Sequence, residues 1–278
     1  MLKQRIITGL IMASGLLAAV ALLPVAALAV LFAVIVALGA WEWSRLAGWE
    51  TTPARIAFVA VVVLALGLAY EYCQLAGTPG AEEVQPLLGL ACLWWSIAIL
   101  WLKSYPASGA LWGHVAMRSL MGLLVLVPAW VSAVFLLSLP RGGLLVIAMI
   151  VVVAAADIGA YFTGKNLGRH KLAPSVSPAK TWEGFWGGLV CALLLALLTW
   201  YLLPASFSHI GLGAVVTVFL ATALFSVVGD LVVSMVKRES GFKDSGSLLP
   251  GHGGVLDRLD SICGAAPVFA LGLLLAGW

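Results

Sequence analysis

A segment near the carboxyl end of the chain, residues 230–260, combines cations and carboxylates in a way that suits phosphate chemistry. Its cations include Lys237, Arg238 and Lys243, and ammonium and guanidinium groups bind phosphate oxygens well. Carboxylates clustered with such cations are typical of a Mg²⁺-dependent site for phosphoryl or nucleotidyl transfer. The alternative, a salt-bridged loop between two helices, explains these charges but not the glycines that accompany them.

Those glycines, Gly251, Gly253 and Gly254, surround His252 and form a loop whose backbone can approach a ligand closely. His252 could serve as a general acid or base, as a metal ligand or as a hydrogen-bonding group. Because a phosphate monoester is already a nucleophile near neutral pH, it needs no strong base. We therefore favour ligand contact or a positioning role for His252.

Two aspartates, Asp257 and Asp260, follow this loop with Arg258 between them. Residues three apart lie on one face of a helix, so we expect both carboxylates on the same face at the start of a helix. That arrangement adds carboxylate oxygens, the ligands that Mg²⁺ prefers, to the phosphate-binding cations.

Asp157 and Asp230 each end an apolar run. A charge inside a bilayer is expensive, about 2.5–3.5 kcal/mol at a helix centre on insertion scales, and normally faces the bundle interior with a partner. The alternative is a carboxylate at the interface, or one paired with Lys165 or Lys237. We favour a functional role because the pattern occurs twice.

The stretch SVSPAKTWEG lies between these two aspartates. Ser177 is predicted to cap a helix with Pro178 at its first position, where a missing N–H has no consequence. The free N–H groups of that first turn, together with Lys180, would form a phosphate cradle. The motif is weak by itself, because Ser-Pro starts many helices.

The elements that position these residues follow from composition. Of 278 residues, 63% are hydrophobic and 10% are charged, whereas soluble chains carry about 45–50% apolar and about 25% charged residues. This composition excludes an ordinary soluble enzyme, and the net charge of +3 does not favour nucleic acid as a partner. The four cysteines form no CxxC or Cys/His cluster, so neither zinc nor a disulfide framework is expected.

A spanning helix needs about 20 mostly apolar residues. The chain holds about nine such runs, broken by charges, Pro and Gly, near 6–23, 25–43, 56–76, 85–102, 119–138, 143–163, 183–203, 210–233 and 260–277. The first run imitates a signal peptide, but its hydrophobicity continues past the candidate cleavage site, which favours a retained hairpin. The prediction is an all-α, polytopic integral membrane protein.

The distribution of Lys and Arg predicts the orientation. With nine spans and the amino terminus inside, 14 of the 15 Lys and Arg residues fall in inner segments and Arg141 alone falls outside. If one helix were missed, every later loop would lie on the opposite side of the membrane. This partition of Lys and Arg therefore favours an N-in, C-out topology. The chemistry-bearing segments then face the cytoplasm, where nucleotides and Mg²⁺ are available.

At these residues the sequence resembles the phosphatidate cytidylyltransferase (CDP-diacylglycerol synthase) family. The family signature S-x-x-K-R-x4-K-D-x-G-x2-L-P-G-H-G-G-x-x-D-R-x-D is filled at every fixed position by Ser234, Lys237, Arg238, Lys243, Asp244, Gly246, Leu249, Pro250, Gly251, His252, Gly253, Gly254, Asp257, Arg258 and Asp260. The elements D-x-x-A-Y-x-x-G from Asp157 and S-P-x-K-T-x-E-G from Ser177 are also similar to the family. Val233 and Ala179 stand where many members have Glu and Lys.

The resemblance implies an enzyme that converts CTP and phosphatidate (phosphatidic acid) into CDP-diacylglycerol and pyrophosphate, with Mg²⁺ as cofactor. A second metal ion and a homodimer are left open. The implied metal ligands are Asp230, Asp257 and Asp260, with Asp157 and Glu183 as second candidates. The implied phosphate-binding residues are Lys180, Lys237, Arg238, Lys243 and Arg258. The residues implied to contact or orient substrate are Ser177, Thr181, Glu183, Ser234, Asp244, His252, Gly253 and Gly254.

We expect this enzyme to be a multi-pass protein of a bacterial cytoplasmic membrane, in contact with the lipid bilayer and with its site facing the cytoplasm. Residues 1–150 would form a multi-span region, and residues 151–278 would form the catalytic region. Two alternatives are less favoured. A CDP-alcohol phosphotransferase would need a D-G-x-x-A-R…G-x-x-x-D-x-x-x-D pattern that the sequence lacks, and a transporter would need charges deep in several spans.

Overall fold

The structure, a computed structural model, describes residues 2–77, 79–204, 210–249, 251 and 253–278. Pro250 and His252 therefore lie outside the described residues. Within the described part, the helices are α1 (Leu2–Leu22), α2 (Val25–Ala47), α3 (Thr52–Tyr72), α4 (Ala81–Lys103), α5 (Gly109–Trp112), α6 (Val115–Ser138), α7 (Gly142–Leu167), α8 (Trp182–Tyr201), α9 (Leu212–Glu239) and α10 (Leu256–Leu275). Two short strands, β1 (Lys171–Ala173) and β2 (Ser177–Thr181), precede α8.

Local sequence explains where the first helices end. Pro24 separates α1 from α2, as expected from its lack of an N–H. Gly48 ends α2 with a φ of 101°, in the left-handed region that residues with a side chain rarely adopt. Thr51 then caps α3 by accepting a hydrogen bond from the N–H of Ala54.

Eight helices among the described residues, α2–α4 and α6–α10, are long and apolar enough to cross a membrane. The first helix contributes a shorter apolar stretch, Thr8–Leu22. The prediction of an all-α polytopic membrane protein is confirmed. The ninth span and the N-in, C-out orientation stay predictions.

The last helix lies at the centre of the packing. It packs most extensively against α9 and α6, and also contacts α4, α7 and α2. Fully buried side chains from both halves, such as Trp43, Leu126 and Phe269, belong to one hydrophobic core. Residues 1–150 and 151–278 therefore share a core, so the first half can position residues of the second.

The helix start predicted at Ser177 is wrong. Ser177 lies in β2, which pairs antiparallel with β1 through Lys171 opposite Thr181 and Ala173 opposite Ser177. A residue that precedes proline is pushed towards extended backbone, which favours the strand. The cap is Thr181 instead, whose Oγ1 accepts a hydrogen bond from the N–H of Gly184 at 3.1 Å.

Candidate active site

Lysines and aspartates alternate in a row where β2, α9 and α10 meet. Lys180 Nζ of β2 lies 2.7 Å from Asp230 Oδ2 of α9. Lys237 Nζ, two turns along α9, lies 2.8 Å from Asp257 Oδ1 and 3.9 Å from Asp260 Oδ2 of α10. The structure thus brings together five residues that the sequence singled out from three separate motifs.

Glycine contacts set the spacing of this row. A Cβ on Gly229 would overlap the carbonyl oxygen of Asp260, and a Cβ on Gly264 would overlap the carbonyl oxygen of Phe225. Helices α9 and α10 therefore cross backbone to backbone, as small residues allow in membrane helices. Because Gly229 precedes Asp230 directly, the crossing brings the aspartates of the two helices together.

The Lys180–Asp230 pair is partly exposed to solvent. The side chains of Lys180 and Asp230 are 26% and 28% exposed. Ser234 Oγ donates a hydrogen bond to Asp230 Oδ1 at 3.1 Å, which fixes the orientation of the carboxylate. Asp157 of α7, also exposed, interacts electrostatically with both Lys180 and Asp230. A ligand can therefore reach this end of the row without unpacking the bundle.

The Lys237–Asp257 pair is buried, and we call it the closed pair. Its side chains are only 8% and 7% exposed. The Asp257 carboxylate also accepts hydrogen bonds from the N–H of Ser245, at 3.0 and 3.2 Å, and from the N–H of Gly254, at 2.9 Å. These contacts use most of the acceptor capacity of Asp257. Asp257 therefore organises the loop between α9 and α10 in this structure.

The same loop depends on glycine backbone geometry. Gly251 and Gly253 have φ values of 77° and 80°, in the left-handed region that side chains disfavour. The N–H of Leu249 donates to the carbonyl oxygen of Gly253 at 2.9 Å and closes a tight turn. His252 lies outside the described residues, so its predicted role stays a prediction.

Several predicted residues make structural contacts. Arg238 Nε donates to the carbonyl oxygen of Val176 at 3.1 Å and ties the hairpin to the end of α9. The Glu183 carboxylate accepts from the N–H groups of Arg169 and His170, and lies 2.7 Å from His170 Nδ1. Glu183 therefore holds the turn after α7, and its predicted substrate or metal contact stays a prediction.

Three further predicted residues, Lys243, Asp244 and Arg258, are exposed beside the row. Their predicted contacts with substrate stay predictions. Val233, where many family members have Glu, is fully buried in α9. An apolar side chain suits that position, because a buried carboxylate would need partners there.

Glu42 was not predicted from the sequence. This glutamate of α2 is 3% exposed and accepts hydrogen bonds from the loop that precedes α10. Like Asp157 and Asp230, Glu42 is a carboxylate at one end of an apolar helix, the feature by which those two aspartates were singled out. Glu42 was overlooked because it lies far along the sequence from the charge-rich motifs.

Other residues of the first half also reach the site region. Arg45 Nη2 donates to the carbonyl oxygen of Ser245 at 2.7 Å. Arg118 Nη1 donates to Ser240 Oγ at 3.2 Å. Burial and the neighbouring Glu239 carboxylate raise the pKa of Tyr105, in the segment between α4 and α5. The end of α9 and the loop after it are thus held by α2, α6 and the α4–α5 segment.

The residues of the row suit a divalent cation that arrives with a nucleotide. Among the described residues, no three His, Cys, Asp or Glu side chains form a ready metal-binding group. Mg²⁺ does not require one, because it is usually held by one or two carboxylates together with substrate phosphates and water. Asp230 and Asp260 can supply those carboxylates, since within the described part of the chain neither has the set of backbone N–H donors that occupies Asp257.

An apolar helical bundle with a row of lysines and aspartates at its helix ends defines an integral membrane protein equipped to bind a phosphate-bearing ligand. The chain matches the cytidylyltransferase family over residues 3–276. It belongs to that family.

Individual relatives agree. A phosphatidate cytidylyltransferase of Pseudomonas aeruginosa is 47% identical over 295 residues, which cover 100% of this chain and 99% of that protein. A phosphatidate cytidylyltransferase of Haemophilus influenzae is 38% identical over 285 residues, covering 97% and 98%. One of Bacillus subtilis is 49% identical over 117 residues, which cover 42% of each chain.

Proposed function

We propose that the chain is a phosphatidate cytidylyltransferase, which transfers CMP from CTP to phosphatidate and releases pyrophosphate. The observation that carries the proposal is the alternating row of lysines and aspartates at the ends of β2, α9 and α10. Full-length similarity to relatives of that name supports the substrate pair.

The reaction is an in-line displacement at phosphorus. A phosphate oxygen of phosphatidate attacks the α-phosphorus of CTP, the bond from that phosphorus to the bridging oxygen breaks, and pyrophosphate leaves with the electron pair. Lys180 binds phosphate oxygens at the open end of the row, and exposed Lys243 and Arg258 bind the leaving pyrophosphate. Asp230 and Asp260 would hold Mg²⁺, which neutralises phosphate charge when it is bound with the nucleotide.

Positioning accounts for most of the catalysis in such a transfer, since the protein has little covalent chemistry to do. Ser234 orients the Asp230 carboxylate through a hydrogen bond. Lys237 balances the charges of Asp257 and Asp260. The chain would lie in a bacterial cytoplasmic membrane with the row facing the cytoplasm, where the soluble nucleotide meets the lipid phosphate.

The test is a transfer assay with purified protein in detergent, radiolabelled CTP, phosphatidic acid and Mg²⁺. We expect lipid-linked CMP from the unmutated protein and from Glu82→Gln, a control that removes an exposed carboxylate of α4. We expect almost none from Asp260→Asn. Light scattering on the same preparation would show whether the protein is a homodimer.

Absence of labelled lipid from the unmutated protein would refute the proposed function. Full activity in Asp260→Asn would leave the function standing and remove Asp260 from the site. Release of CMP from CDP-diacylglycerol in the presence of an alcohol, without transfer from CTP, would indicate a CDP-alcohol phosphotransferase instead.

A further inference from the structure

We propose that Glu42 is a positioning residue of the active site, through which the first half of the chain fixes the first turn of α10 and hence the carboxylate of Asp260. The inference rests on the proposed function, because its test uses CTP as the ligand. It assigns a role in nucleotide binding to a helix outside the family signature.

The contacts of Glu42 converge on the residues just before Asp257. Glu42 Oε1 accepts from the N–H of Val255 at 3.0 Å, and Oε2 accepts from the N–H of Leu256 at 2.8 Å. Oε2 also accepts from Ser245 Oγ at 2.8 Å. One carboxylate therefore joins the start of α10 to the loop that follows α9.

A carboxylate suits this position better than any neutral group. Three donors meet Glu42, whereas the amide of a glutamine would turn its NH₂ group towards at least one of them. The carboxylate is buried, and no ion pair with it is found in the described part of the chain. Its charge is instead stabilised by the free N–H groups and the dipole at the start of α10.

The signature glycines make room for this carboxylate. A Cβ on Gly246 or on Gly254 would overlap the side chain of Glu42. Gly254, which was expected to let the loop backbone approach a ligand, and Gly246 of the same signature thus both accommodate a residue of α2. Glu42 therefore fits this loop in shape as well as through its hydrogen bonds.

Glu42 and Asp257 hold the same loop from two sides. Ser245 donates its hydroxyl to Glu42 and its N–H to Asp257. Gly254 donates its N–H to Asp257, and the next two N–H groups donate to Glu42. Loss of Glu42 would therefore leave the loop attached but free to shift, which alters the position of α10 without dismantling the row.

The experiment compares Glu42→Gln and Glu42→Asp with Glu50→Gln, which removes an exposed carboxylate just beyond the same helix. Binding of radiolabelled CTP with Mg²⁺ is measured by equilibrium dialysis on monodisperse protein, beside transfer activity and thermal melting. We expect Glu42→Gln to raise the Kd for CTP about tenfold, the change expected when a hydrogen bond to a charged group is lost. We also expect it to raise the half-saturating Mg²⁺ concentration.

Glu42→Asp should recover part of the affinity because it keeps the charge, and Glu50→Gln should behave as the unmutated protein. A purely structural role would instead lower the yield or the melting temperature while the folded fraction binds CTP with unchanged Kd. That result would overturn the inference. Recovery by Asp that is no better than Gln would also count against it.

If Glu42→Gln does not fold, Ser245→Ala decides, because it removes one contact to Glu42 from the loop side. A several-fold rise in the Kd for CTP is expected, and an unchanged Kd would contradict the inference. Failure of the proposed function is distinguishable from these outcomes, since it would appear as absent transfer by the unmutated protein.

Discussion

The two lysine–aspartate pairs of the site have the same chemistry and different surroundings. Lys180–Asp230 is about a quarter exposed and has one additional side-chain donor, Ser234. Lys237–Asp257 is almost fully buried and is tied to two backbone N–H groups of the loop. A partly exposed pair exchanges its partner more readily than a buried pair, which cannot be broken without leaving an uncompensated charge. The first pair is therefore suited to receive a ligand, and the second to hold the loop.

The largest expected effect is the loss of stability in Asp257→Ala. The variant leaves the Lys237 ammonium buried without its closest partner, a change that destabilises by about 3–5 kcal/mol. Asp230→Ala should cost less than about 1 kcal/mol, because Lys180 can turn to solvent. Thermal melting in detergent measures both, and equal losses would remove the distinction between the pairs.

Next in size is the loss of activity in Asp230→Asn. We expect transfer to fall by about 10²–10³-fold, the range seen when one preorganised electrostatic contact is removed. The melting temperature should stay within about a degree of the unmutated value, since the exposed pair contributes little stability. Activity close to that of the unmutated protein would show that the open pair does not receive the ligand.

A smaller effect is expected from Lys180→Gln. Removing one cation at the open end should raise the KM for CTP about tenfold, and Lys180→Arg should retain most of the affinity because it keeps the charge. Steady-state kinetics at saturating phosphatidate separate KM from kcat. A change in kcat alone would place Lys180 on the reacting group rather than on the bound nucleotide.

Salt should produce the smallest difference between the pairs. Raising ionic strength screens exposed charges and affects buried pairs much less. We expect the KM for CTP to rise with added KCl. The part of that rise that is due to Lys180 should be less than about fivefold. The melting difference between the unmutated protein and Asp257→Ala should be almost independent of salt. A strong salt dependence would mean that water reaches the closed pair.

The fold was largely predictable because hydrophobic runs of membrane length leave little choice. The spans predicted at 183–203 and 210–233 correspond to Trp182–Tyr201 and Leu212–Glu239. Helix α9 extends further than predicted because Lys237 is buried and paired with Asp257, so its charge does not end the helix. Charge alone is therefore a poor guide to where a helix stops.

The residues of the row could be singled out from the sequence, whereas their contacts could not. The motifs identified Lys180, Asp230, Lys237 and Asp260, but spacing along the chain cannot tell an open carboxylate from one held by backbone N–H groups. The cap assigned to Ser177 was wrong because pairing with β1 favoured a strand. Glu42 was missed because it lies far from the charge-rich motifs, and its donors, more than 200 residues away in sequence, could not be identified without the fold.

The contact between Glu42 and the start of α10 also has a consequence for biosynthesis. The ribosome delivers the second helix to the membrane long before it has made Leu256, 214 residues further on. Until then the N–H donors of Glu42 do not exist, and a carboxyl without partners is costly inside a bilayer, so Glu42 must stay in contact with water. Helix α10 thus supplies hydrogen bonds to a carboxyl that entered the membrane with α2, so the contacts of Glu42 can form only after α10 has been made.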